Sequence, residues 1–383
     1  MPHLLKQFFI LIGLFFLGLF QFSCRKTYSD PTVPYLFDSS PAEKAYMELN
    51  TFSFLPLPDN TFVISVKSTS YSALFREFFL HYDANFRLID TAYYSDVLYF
   101  GKGIESNGSI FNVLLQLSQD KEQMKYSVLE TDYNYKRMGQ SANLMDALNI
   151  QPYRFSAPMI VQLENGTIVT AITSQVTGRA DSIKLVAFTK GLNSAPLWMN
   201  DTVYWANGIK GIRLEDMVSD GNFFYLLAKS DSKTNGVLRK HDENGKLIWS
   251  IGLPDFYGYR ILVQNDKLIL FDNKSGMLYF DTDGNLLGSN SYKDYNLVSN
   301  GNAGFLGLNM VGNQWGQTTT ITKYNSNLVP VKSRDFGDGK FHYSVLGKLH
   351  DGTFVLVTNM KIQNLGEQLV FYKLDADLND YTK

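Results

Sequence analysis

Cys24 is the only cysteine in the 383-residue chain. A single thiol forms no internal disulfide and cannot supply a sulfur-ligated zinc or iron–sulfur site. The five histidines, His3, His81, His241, His342 and His350, show no metal-ligand spacing. Asp281, Asp283 and Asn285 imitate the start of a calcium loop, but the twelfth position, which needs a bidentate glutamate, is Tyr292. These aspartates therefore read as turn residues whose carboxylates cap their own backbone. Gly101-Lys102-Gly103 lacks the following helix pattern that would turn such glycines into a phosphate cradle. Asp255, Asp335 and Asp338 could in principle form the acid/base pair of a glycan hydrolase or lyase. Surface aspartates in turns are far commoner than catalytic ones, so no catalytic residue, metal or cofactor is assigned.

The elements that would position these side chains follow from composition. The chain is 45% hydrophobic and 14% aromatic, enough for a large core. Phe, Tyr and β-branched residues dominate, which favours strands and an all-β fold. The formal net charge of −2 gives no bulk attraction to nucleic acid, and no basic tract interleaved with aromatics supplies one locally.

Residues 1–24 read MPHLLKQFFILIGLFFLGLFQFSC. Lys6 supplies a positive start, and Phe8 to Phe20 is apolar over about a dozen residues, the length of a signal-peptide core and short for a bilayer span. Ser23 is small and directly precedes Cys24. The segment resembles the signal of bacterial lipoproteins, in which the cysteine becomes the acylated first residue. It departs from the common pattern at Gln21, where leucine is usual, and is similar to the looser, Phe-rich signals of Bacteroidota lipoproteins. The resemblance implies a cleaved signal over 1–23, lipidation at Cys24, and a cell-envelope address, periplasmic or outer-membrane. Arg25 and Lys26 on the exported side oppose the rival reading of a retained membrane helix. Three prolines and several Ser, Thr and Asp residues make 24–42 an expected tether.

From 43 to 383 a unit recurs. Its first marker is a polar pair before a hydrophobic strand: Asp59-Asn60, Asn107-Gly108, Asn165-Gly166, Asp220-Gly221, Asn265-Asp266, Gly301-Asn302 and Asp351-Gly352. Such pairs favour the positive φ values of tight hairpin turns. A second marker follows about one strand later, at Asp83, Asp132, Asp242, Asp281, Asn325 and Asp375, with a weaker version at Lys190-Gly191-Leu192-Asn193. Two tight turns per unit make a four-stranded meander. Spacings of about 36 to 58 residues are near the length of propeller blades. The expectation is a β-propeller of seven blades, with six or eight as the neighbouring counts, since a strand near Tyr46–Leu55 could complete the last blade. The pattern resembles generic propeller repeats of the NHL and quinoprotein-like kind. Four tryptophans are too few for the repeated Trp signature of the quinone-dependent dehydrogenases.

Meander topology puts both markers, the A–B and C–D turns, at one end of the ring, where A to D are the strands of a blade from the axis outward. The B–C and D–A connections fall at the other end. The stretches 140–154, 204–209, 252–258, 311–316 and 335–340 are expected there as longer loops carrying Tyr153, Arg154, Trp205, Tyr257, Trp315 and Phe336. Variable loops on a rigid scaffold are the usual seat of binding. The competing reading makes these aromatics caps of the core. The functional expectation is a non-enzymatic binding or scaffolding propeller at the envelope, held to the membrane by a lipid and facing a protein or glycan. The alternative is a glycan-active hydrolase or lyase. Asp90-Thr91-Ala92, Asp181-Ser182-Ile183 and Asp201-Thr202-Val203 resemble the short O-glycosylation motif of exported Bacteroidota proteins.

Overall fold

The computed structural model describes residues 35–36 and 49–380, apart from 69–75, 95–96, 101, 118–123, 142–143, 145–150, 153–157, 176–181, 190–191, 193–194, 205–211, 231–234, 273–275, 293, 295, 314–315 and 363–365. The segment expected as a signal and Cys24 lie outside the described residues. What is described is a β-propeller of seven four-stranded antiparallel blades.

The inner strands are Leu49–Pro56 in blade 1, Val97–Phe100 with Ile104–Ser106 in blade 2, and Gln151–Pro152 with Met159–Gln162 in blade 3. They continue with Ile212–Asp220, Gly258–Gln264 and Asn296–Ser299 in blades 4 to 6. Pro330–Lys348 runs unbroken from the outer position of blade 6, against Gly316–Tyr324, to the inner position of blade 7, against Phe354–Ile362. Seven buried apolar clusters fill the seven gaps between neighbouring blades. One of them joins Phe62, Ile64 and Tyr82 of blade 1 to Val355, Val357 and Phe371 of blade 7, which closes the ring.

The seven A–B pairs each contain a residue at positive φ, as hairpin turns require: Asn60, Asn107 and Gly108, Gly166, Gly221, Asn265 and Asp266, Gly301, and Gly352. Six of the C–D turns share one hydrogen-bond scheme. Asp242 Oδ1 accepts from the amides of Asn244 (3.0 Å) and Lys246 (2.8 Å). Asp83, Asp132, Asp281, Asn325 and Asp375 accept from the residues two and four further on in the same way.

The residue three places after each of these acceptors is at positive φ, and in four blades it is a large apolar side chain: Phe86, Tyr135, Leu328 and Leu378. A left-handed non-glycine residue costs about 1–2 kcal/mol, and burying such a side chain recovers about 1.5–3 kcal/mol. All four are buried, packed back onto the preceding blade. Tyr135 stacks on Phe79 with centroids 4.1 Å apart, and Phe86 on Phe371 at 5.2 Å. In blades 4 and 5 the same position is Gly245 or Gly284, and a tryptophan of the preceding outer strand, Trp198 or Trp249, fills the space. Their indoles donate to the carbonyls of Glu243 (3.0 Å) and Thr282 (3.2 Å).

Two expectations are corrected. Leu49–Pro56 does not complete the last blade; it is the inner strand of the first. The last blade takes its outer strand from Tyr35–Leu36, which pairs with Phe371 and Val370, so the ring reaches back into the stretch read as tether. Three stretches expected as long loops are short: 335–340 lies within Pro330–Lys348, Phe305–Asn313 and Gly316–Tyr324 are joined by two residues, and Leu247–Pro254 leads to Gly258–Gln264 through three. In each case pairing with the flanking strands continues almost to the crossing, leaving no chain for a loop.

Candidate functional site

The inner strands start at the loop end and run to the A–B turns. Six of the seven carry extra residues in the half nearer the loop end. Two residues, 50 and 51, stand opposite one between the pairs Leu49–Ser68 and Phe52–Val66. Glu215 is the extra residue between Leu214–Ala228 and Asp216–Leu227, and Tyr259 between Gly258–Asp272 and Arg260–Phe271. Blade 7 has one extra residue between Phe341–Met360 and Ser344–Thr358. In blade 3 the stretch 153–158 lies between Pro152–Ser174 and Met159–Ala171. Blade 2 interrupts its ladder twice, after Val97 and again between Phe100 and Ile104. Extra residues bend a strand and re-aim side chains. Here they concentrate around the central channel.

The charged groups at this level come from blades 2, 4 and 5. Lys102 occupies the break in the inner strand of blade 2 and is exposed, though the ring surrounds it. Loss of bulk water pulls its ammonium pKa below the ordinary lysine value; Asp216 opposes the shift and Arg260 reinforces it. Blades 4 and 5 are not neighbours of blade 2, so these influences cross the channel. Asp216 is buried and accepts from the amides of Met217 and Ile261, both at 2.9 Å, tying blade 4 to blade 5. Glu215 sits 2.9 Å from Lys229 and 3.7 Å from Arg213. Burial raises its pKa, opposed by the bond and charge of Lys229 and by the charge of Arg213. Next to Lys102, Gly103 makes room for Asn112: a β-carbon on Gly103 would stand 2.6 Å from its Oδ1. Asn112 is 1% exposed, and neither its Oδ1 nor its Nδ2 has a hydrogen-bond partner.

Of the residues expected on the binding face, Tyr257 is half-buried in the crossing from blade 4 to blade 5, its amide donating to Asp272 Oδ1 at 3.1 Å. Phe336 is 4% exposed, with its ring 5.0 Å from that of Tyr372 and Arg334 stacked on it. It is a core cap, because the strand that carries it passes straight on between two blades. Tyr153, Arg154, Trp205 and Trp315 lie outside the described residues. Of the expected acid/base candidates, Asp335 and Asp338 share the strand Pro330–Lys348, and Asp255 lies apart from them. Asp255 is in the crossing from blade 4 to blade 5, and Asp335 is on the outer strand of blade 6, accepting from Thr320 Oγ1 at 2.6 Å. Among the described residues no three His, Cys, Asp or Glu side chains are grouped to hold a metal ion.

Sequence reasoning weighed Lys102 only within a glycine pair, and it passed over Arg213, Glu215 and Arg260. A usable signal existed: RLEDM and YRILV place charge inside strands that a ring buries on both faces.

No protein-family model matches the sequence, and no curated protein is significantly similar to it. Solved structures do resemble it. The acylaminoacyl peptidase of Pyrococcus horikoshii superposes with a TM-score of 0.53 and 9% identity, covering 89% of this chain and 54% of that one. The polysaccharide lyase Uly1 gives 0.51 and 10% identity over 90% of this chain and 98% of its own. The β-propeller domain of Cps50 (Swd1) from Myceliophteria thermophila gives 0.51 and 10% identity over 88% and 98%. At such identities the likeness is one of fold, and the fold it names is the β-propeller.

Proposed function

We propose that this protein is a non-enzymatic binding or scaffolding propeller, anchored at a bacterial cell envelope through Cys24, and that it presents its loop end to a protein or glycan. The observation that carries this reading is the direction of Tyr35–Leu36. These residues run antiparallel to Gly366–Leu374, which leads into the C–D turn at Asp375. The chain before Tyr35 therefore approaches from the turn end. Ten residues lie between Cys24 and Tyr35, so the span is at most about 40 Å. An anchor there holds the turn end toward the bilayer and directs the loop end, with its re-aimed inner strands, outward.

Photo-crosslinking of the full chain in cells tests this. A photoreactive residue at exposed Tyr343, at the loop end, should give a discrete adduct with a ligand. The same residue at Asp283, on a C–D turn, should give none or lipid adducts only. Discrete adducts confined to position 283 would overturn the reading.

A further inference from the structure

The outer strands share one irregularity. In five blades the sixth residue after the C–D acceptor is an extra residue with none opposite it: Ile89, Met138, Ile248, Leu287 and Val331. Leu197 holds the matching place in blade 3, directly before Trp198, as Ile248 stands directly before Trp249. All six are apolar and 47–61% exposed. Sheet edges in water are usually blunted with charge, and a bulge breaks an edge without needing an apolar side chain.

Blades 3 to 5 join these positions into one surface. The C–D turn of blade 4 lies on the outer strand of blade 3, Trp198–Tyr204, where Trp198 donates to the carbonyl of Glu243 and Asn200 to that of Asn244 at 3.1 Å. The C–D turn of blade 5 lies on the outer strand of blade 4 in the same way. Trp249 donates there to Thr282, and a β-carbon on Gly284 would stand 2.8 Å from Ile251. Leu197 and Met199, Leu247 and Ile248, Leu286 and Leu287 therefore follow one another along the rim at the turn end, all exposed. In a ring closed between blades 7 and 1, this sector stands across from the outer strand that Tyr35–Leu36 adds to blade 7.

We propose that the turn-end rim of blades 3 to 5 rests in the headgroup region of a bilayer of zwitterionic phospholipid. This rests on the anchoring at Cys24 proposed above and adds a second attachment on the far side of the ring. The occupant follows from the course of the chain. The stretch before Tyr35 comes in at the same end as the rim, and Cys24 lies within about 40 Å of it, so rim and anchor meet one plane. Exposed leucine and isoleucine side chains settle at the boundary of headgroups and acyl chains without crossing it, and a lipid chain paired with a second contact holds far better than either alone. Charge selects the lipid. The C–D turns of blades 4 and 5 carry Asp242, Glu243, Asp281 and Asp283 against Lys246. They repel anionic lipid and a second copy of the same face, and they suit headgroups whose ammonium lies outermost.

The test uses full-length wild-type protein reconstituted into phosphatidylcholine vesicles that contain a photoactivatable phosphatidylcholine, with lipid adducts located by peptide mass spectrometry. Adducts should fall on the peptides holding 197–199, 247–248 and 286–287. Their yield should drop by about threefold or more in a variant carrying Ile248→Ser and Leu287→Ser, or when phosphatidylglycerol replaces much of the phosphatidylcholine. Both side chains are exposed, so the variant leaves the core intact. Adducts on the N-terminal peptide alone overturn the rim contact and leave the anchor standing. Rim adducts on protein whose Cys24 carries no acyl group overturn the anchor and leave the rim contact standing. Copies of the protein crosslinked to one another through 247–248 assign the surface to a second copy and overturn the proposal.

Discussion

Trp198 in blade 3 covers Gly245 in blade 4: a β-carbon at 245 would stand 2.5 Å from the indole, whose N–H donates to the neighbouring carbonyl of Glu243. Gly245 and Gly108 both sit at positive φ, but nothing crowds Gly108. Gly108→Ala should therefore cost about 1 kcal/mol from backbone strain alone. Gly245→Ala should cost at least about 2 kcal/mol more, because the indole must leave. Urea denaturation of both variants gives the difference. In a Trp198→Ala background the excess cost at 245 should shrink.

Leu378 presents the opposite case, a buried leucine held at φ 62. Leu378→Ala should lose about 2–4 kcal/mol through the cavity left between blades 6 and 7. Leu378→Gly should be no worse, since relief of the left-handed strain offsets the extra freedom of the unfolded chain. Elsewhere glycine is the poorer replacement. A glycine variant clearly less stable than the alanine one would show that the backbone there carries no strain.

Asp294 is buried between blades 5 and 6, where Tyr324 donates to its Oδ2 at 2.5 Å. Burial raises its pKa to about 6, only partly opposed by that bond. A carboxyl with a raised folded pKa supports folding below its unfolded value of 3.8 and loses that support as pH rises toward 6. At pH 8 its ionised form costs about 3 kcal/mol. Asp294→Asn, which can still accept from Tyr324, should raise the melting temperature at pH 8 and give little or no gain at pH 4. Thermal melts across that window check the sign.

Asp375 behaves in the reverse sense. Partial burial pushes its pKa upward, but hydrogen bonds from Asn379 and Asp377 outweigh it, and the net shift is downward. Its stabilisation is present above 3.8 and fades as pH falls through the depressed folded value. Asp375→Ala should lower stability at pH 7 by about 1–2 kcal/mol through two lost amide bonds. The deficit should narrow below pH 4.

Lys373 donates to the carbonyl of Ala84 across the ring closure at 3.1 Å, as Lys240 does to Thr282 between blades 4 and 5 at 2.9 Å. Removing residues 1–37 deletes the short outer strand of blade 7 and should cost about 2 kcal/mol. Amides of Gly366–Leu374 should then exchange fastest among the blade strands. Unchanged exchange there would mean that Tyr35–Leu36 adds nothing to closure.

Much of the ring was legible because its turns are local chemistry. Asp or Asn followed by Asn or Gly fixes a hairpin within four residues, whatever the rest of the chain does. Seven polar pairs, five of them of this kind, gave the blade count. The long-range features left weaker traces. Tyr35–Leu36 is two residues long and has no periodicity to read. The extra residues of the inner strands show only as a change of register, which depends on the partner strand. Phe336 looked like a loop aromatic because Gly337 and Gly339 follow it, yet the strand runs through them. The apolar residue at the fourth place of the C–D turns, as in Asp83-Ala84-Asn85-Phe86 and Asp375-Ala376-Asp377-Leu378, was visible and could have been read as a core contact.

The contacts that shut the ring join residues made early to residues made last. Asp351 donates its amide to Asn60, 291 positions away, and Lys373 reaches Ala84 across 289. Until the seventh blade exists, Phe62, Tyr82 and Phe86 lack the side of their cluster that Val355, Val357 and Phe371 supply. The growing chain is thus unable to finish folding ahead of its own synthesis. Its first blades therefore keep apolar surface uncovered for as long as the later ones are being made.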